Sequence, residues 1–195
     1  MSVSRGSEWR RWEPHIHAPG TVLNNQFGSD NPWEEYLTNL ESRTSKIEAL
    51  GITDYYLTDT YENILHYKFT DGRLPDIQLI FPNVEIRLNV AAKSGFVNAH
   101  LLVSPDDSDH LEQLKRILSR FRFSAFDDEF GCTKEELIRL GKCADSSIIE
   151  DQPALEHGAT QFKVDFDDLR KVFQQSDWAK KKTNRGQTNR GQDMT

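Results

Sequence analysis

Apolar runs of strand length alternate along the chain with segments whose apolar residues recur every three or four positions. This alternation restricts the fold more than any other feature. The first run, Trp12 to Ile16, leads into His15-Ile16-His17 and is broken by Ala18-Pro19-Gly20. Asp30-Asn31-Pro32 then offers a capping residue and a first-turn proline. Trp33, Tyr36, Leu37, Leu40, Ile47 and Leu50 follow at helical spacing, and Gly51 stands where such a helix would end. Gly51 to Asp54 reads as a short strand stopping at an acid. A helix is expected from Thr60 to Phe69, with a loop at Asp71-Gly72 and Pro75. Ile77 to Ile86 is the most strand-like run, with a bend expected at Pro82-Asn83, and Phe96 to Val103 is another strand. Further helices are expected over 108–121, from Thr133 (a capping-box pattern with Glu136) to Leu140, and over 165–175. The order of elements indicates an α/β fold built from βα units.

Composition removes several classes. Of 195 residues, 36% are hydrophobic and 28% charged, the balance of an ordinary globular protein. No stretch approaches the ~18 consecutive apolar residues of a membrane span. The first residues lack the apolar core of a secretory signal. Cys132 and Cys143 match no common zinc pair, so a disulfide scaffold is not expected and a reducing cytoplasmic location is. Lys180, Lys181, Lys182, Arg185 and Arg190 against Asp193 give the last 17 residues a charge of +4. That leaves −11 for the rest of a chain whose total is −7. An acidic body argues against a broad nucleic-acid-binding surface, though not against a small basic cleft. The tail carries TNRGQ twice, at 183–187 and 188–192, and 179–195 is expected to be a disordered basic tail.

Chemistry concentrates at four places. His15 and His17, Asp54, Glu85 and His100 fall in or at the ends of four successive strand candidates. In a βα barrel, functional groups gather at the carboxyl ends of the strands. Residues i and i+2 of a strand share a side, so two imidazoles two apart can grip one ion. Nitrogen and carboxylate donors together suit zinc, manganese or iron. Glu85 could bridge two ions, and paired ions suit phosphoester hydrolysis because they activate water and neutralise phosphate oxygens. Each residue also has a structural alternative. Asp54 could cap a helix, and His100 could be a hydrogen-bonded core histidine. Glu85 in an apolar run is harder to explain that way, since an unpaired buried carboxylate is costly. His66, His110 and His157 are expected at the surface.

The segments WEPHIHAPG (12–20), ALGITDYY (49–56), FPNVEIRL (81–88) and NAHLLVSP (98–105) resemble, in order, the motifs of the PHP domain, the polymerase and histidinol phosphatase superfamily. LNNQFG after the first motif is similar to PHP domains joined to AAA-like ATPases. The resemblance implies a distorted (βα)7 barrel holding two or three divalent ions. It also implies hydrolysis of phosphoesters in a phosphorylated small molecule or nucleic acid. Carried over by position, His15, His17, Glu85 and His100 would be ligands, with Asp54 at the edge of the cluster. Two departures stand out. Tyr55 replaces a histidine common after the aspartate, and no Asp-x-His closes the set. The resemblance therefore implies a partial barrel over 8–178, incomplete on its C-terminal side. Such a chain is either a phosphoesterase, inactive if the late ligands are essential, or a non-catalytic module or fragment working with an ATPase partner.

Overall fold

The computed structural model describes residues 10–42, 47–93 and 95–184. The chain divides into two compact units. Unit 1 comprises residues 1–85 and 100–107, and unit 2 comprises 86–99 and 108–195. The architecture is mixed α/β.

Unit 1 opens with β1 (Trp12–His17), α1 (Pro32–Glu41), β2 (Ala49–Tyr55) and α2 (Asp59–Phe69), and β3 (Leu79–Ala92) starts in it. β1, β2 and β3 are parallel neighbours, the product of two consecutive βα steps. β2 lies between the other two and is buried along its whole length, which explains its nearly continuous apolar run. β4 (Gly95–Leu102) follows β3 after two residues and completes a sheet ordered β1-β2-β3-β4. α1 places Pro32 in its first turn, with Glu34 and Glu35 at its positive end. Its N-cap is Asn31, whose side chain makes no capping bond. Tyr36, Leu37 and Leu40 form its buried face, and Thr60, Tyr61 and Ile64 that of α2.

Two expectations are corrected here. Leu50 and Gly51 do not end a helix. α1 stops at Glu41, and both residues belong to the central strand. The apolar spacing of Leu50 fits a helix and a buried strand equally well, so length and neighbours decide. Nor does Pro82-Asn83 interrupt β3, which runs unbroken from Leu79 to Ala92. The carbonyl of Pro82 accepts from the amide of Val103 at 3.1 Å, so its nitrogen faces the same flank, just beyond the last residue of β4. A missing N–H is harmless there.

Unit 2 contains α3 (His110–Leu118), β5 (Arg122–Ala125), β6 (Asp128–Gly131), α4 (Lys134–Ala144), α5 (Asp151–Gln161), α6 (Phe166–Gln175) and α7 (Asp177–Asn184). The βα alternation ends here, and β5 and β6 form a separate two-stranded antiparallel sheet. Phe126 and Asp127 join them, both at positive φ, as a two-residue hairpin turn needs. Phe-Asp lacks the usual Asn-Gly signature, and the hairpin was not expected. α5 was also unforeseen. It packs on α4 through glycine: a Cβ on Gly158 would lie 1.8 Å from the Leu137 carbonyl oxygen, and one on Gly141 1.9 Å from that of Ala154. Val164 forms a parallel bridge with Leu88. Thr133 caps α4 by accepting from the amide of Glu136, as the capping-box pattern indicates. Asp165 caps α6 by accepting from the amides of Asp167 and Asp168.

The tail expectation is corrected in part. α7 continues to Asn184 and Ala179 is only 4% exposed, so the first residues of 179–195 are helical. Both copies of TNRGQ lie at or beyond this end, and residues 185–195 are outside the described set. His66 is exposed as expected and His157 is half-buried, but His110 is buried. The inward face of α3 runs through His110, Leu114, Ile117 and Leu118. Among the described residues, no helix is long and apolar enough to cross a membrane.

Candidate metal centre

Every residue of the candidate site belongs to unit 1. The β1–β2 register slips by one residue between Glu13 and Ile16, placing a bulge at Pro14-His15. Bulges re-aim side chains beside functional sites. Here the backbone carbonyl of Pro14 occupies the space above Gly51, where any Cβ would lie 2.2 Å from it. His15 and His17 emerge on the same side, their Nε2 atoms 3.4 Å apart. Glu85, aligned with Tyr55 of β2, is 4% exposed and brings a carboxylate oxygen 3.8 Å from His15 Nε2. His100, on β4, packs its ring 4.7 Å from that of His15. One ligand atom from each of His15, Glu85 and His100 lies within 4.8 Å of the other two.

Supporting hydrogen bonds set the imidazole tautomers. Asn83 donates its amide to the Pro14 carbonyl at 2.9 Å and to Thr53 Oγ1 at 3.0 Å. Its Oδ1 therefore accepts from His100 Nδ1 at 3.0 Å, which leaves His100 Nε2 with a lone pair. Thr21 donates to Asp54 Oδ1 at 3.0 Å, so it accepts from His17 Nδ1 at 3.3 Å and leaves that ring's Nε2 a lone pair as well. Burial, then the neighbouring His15, holds the pKa of His17 below its ordinary value, which favours the neutral form able to ligate. Two imidazoles and a carboxylate, from His15, His100 and Glu85, match the His2Glu donor set of open zinc sites, in which water takes the fourth position. The donors present fit a divalent ion.

Asp54 is not one of the converging ligands. It is buried at 2% exposure beneath them and accepts from the amides of Val22 and Tyr55, both at 2.8 Å, and from the hydroxyls of Thr21 and Thr60. Through Thr21 it is linked to His17. Tyr55 is no ligand either, since its ring stacks on His17 with 6.0 Å between centroids. Asn83 and Thr21 were missed by reading the sequence. Their types carry no metal signal, and only the strand register brings Asn83 level with Thr53.

Desolvation outweighs the four donors and pushes the Asp54 carboxyl up to about 6 from an ordinary 3.8. A raised acid pKa means that the unfolded chain ionises first as pH rises. The associated stability is therefore full below about pH 4 and lost as pH rises through about 6. The loss is on the order of 3 kcal/mol, at ~1.4 kcal/mol per tenfold change in proton affinity. Urea unfolding of the chelator-treated protein from pH 4 to 7, compared with Asp54→Asn, is expected to show this falling component only in the native sequence. Parallel pH profiles would contradict it.

A recess of about 490 Å³ adjoins His17. Its wall includes Gln26, Phe27, Glu35, Tyr36 and Asn39 and, among the described residues, no lysine or arginine. Among the described residues the buried Tyr36 hydroxyl has no hydrogen-bond partner. No protein-family model, no curated protein and no solved structure matches the chain.

Proposed function

We propose that this chain is a metal-dependent phosphoesterase domain of PHP type, a partial form of the distorted (βα)7 barrel. Its substrate would be a phosphorylated small molecule or nucleic acid. The observation that carries this reading is the convergence of His15, Glu85 and His100 from three strands, with His17 3.4 Å from His15. His15, Glu85 and His100 would hold one divalent zinc, manganese or iron ion, and His17, beside His15, would serve a second. Such an ion supplies Lewis-acid neutralisation of phosphate oxygens and activation of water. The chain's own groups do the rest. Asn83 and Thr21 fix the imidazoles, Glu85 contributes one negative charge, and the recess beside His17 receives the part of the substrate beyond the phosphate. Among the described residues that wall has a carboxylate and amides but no lysine or arginine, which favours an uncharged or cationic group over a second phosphate.

Hydrolysis of p-nitrophenyl phosphate tests the reading. Activity should vanish with chelator, return with manganese or zinc, and fall about a hundredfold or more in His15→Ala/His17→Ala. Turnover that survives chelation and the double substitution would contradict it. A second reading has one observation in its favour: among the described residues there is no other such group of three histidines, cysteines or acids. That suits a non-catalytic metal-binding module working with an ATPase partner, and metal binding without turnover would support it.

A further inference from the structure

We propose that unit 2 carries a binding site for single-stranded nucleic acid in the recess between α3 and α7. The recess measures about 380 Å³, and its lining includes Arg116 from α3 and Arg120 from the turn that follows it, together with Trp178 and Lys181 from α7. The amide of Arg120 donates to the Ile117 carbonyl at 3.1 Å, and that turn keeps Arg120 on the same recess as Arg116. Among the described residues, neither guanidinium nor the Lys181 ammonium has a hydrogen bond or ion pair. The acids in the same recess are already engaged. Asp109 accepts from Gln113 at 2.9 Å, and Asp177 pairs with Lys180 at 3.3 Å. Three cations thus meet in one hollow, against the two acids Asp109 and Asp177, in a chain whose first 178 residues sum to −11.

The ligand follows from the lining. Two guanidiniums and an ammonium on one recess match the repeated phosphates of one strand, and the half-exposed Trp178 indole offers an aromatic surface to a base. A duplex keeps its bases stacked on each other and could use only the charges. In the sequence, Lys180, Lys181, Lys182, Arg185 and Arg190 follow Trp178 as a basic run. An acidic peptide could use the charges too, but has no base to set against the indole.

The test is fluorescence anisotropy with the full chain, a fluorescein-labelled oligo(dT) of about twelve nucleotides, low salt and chelator. Removing metal prevents cleavage and keeps this result separate from the phosphoesterase reading. Binding is expected to weaken with salt. It should fall about tenfold or more in Arg116→Glu/Arg120→Glu and several-fold in Trp178→Ala, and a duplex of equal length should bind less tightly. Arg116→Lys/Arg120→Lys should recover most of the affinity, which a merely misfolded double variant would not explain. Wild-type affinity in the glutamate variant would overturn the proposal. So would loss of binding only on removal of residues 185–195, or equal competition by polyglutamate.

Discussion

Gly51→Ala is expected to destabilise the protein by about 3 kcal/mol, the upper end of the ordinary cost of overpacking. The added methyl would lie 2.2 Å from the Pro14 carbonyl oxygen, 2.7 Å from its carbon and 2.8 Å from the Phe81 ring. Two of these are backbone atoms in a paired strand, so no side-chain rotation relieves the clash. The bulge of β1 must move. The same carbonyl anchors the Asn83 amide, which in turn orients His100. One methyl group should therefore lower both the urea midpoint and metal affinity, the latter at least tenfold. An unchanged midpoint together with unchanged metal binding would show that β1 does not rest on Gly51 as described.

The first half of the architecture was legible because β1, β2 and β3 carry strand-length apolar runs separated by helical spacing. Parallel order followed from the alternation. What the sequence obscured were features decided by packing. Gly51 resembles a helix stop, yet it is a contact point for Pro14, and nothing local distinguishes these roles. Pro82 resembles a strand breaker, but its nitrogen falls where the neighbouring strand has ended. The Phe126-Asp127 turn lacks the residues that usually mark positive φ. In the site, His15, His17, Glu85 and His100 were visible as ligand types at strand ends. Asp54 was visible too, but as a rim ligand. The structure gives it four hydrogen bonds and leaves it outside the group formed by His15, Glu85 and His100. The link from Asn83 to His100 depends on two side chains 17 positions apart, which no spacing rule reports.

The second large effect concerns the metal itself. Removing the Glu85 carboxylate takes away the only charged donor among the three converging ligands. Glu85→Gln keeps the volume and hydrogen-bonding capacity but offers a neutral oxygen, so affinity should fall more than packing. His100→Ala removes one of three donor atoms, and Asn83→Ala only the group that orients it. The expected order of loss is therefore graded. Glu85→Gln and His100→Ala should abolish stoichiometric binding, whereas Asn83→Ala should weaken it by about 10–100-fold, as for outer ligand supports generally. Isothermal titration of the chelator-stripped protein with zinc or manganese tests this most directly. The account predicts at least one equivalent bound by the native chain, lost in Glu85→Gln and His100→Ala variants that remain folded. A native chain that binds no ion, or variants that bind as it does, would contradict the metal centre.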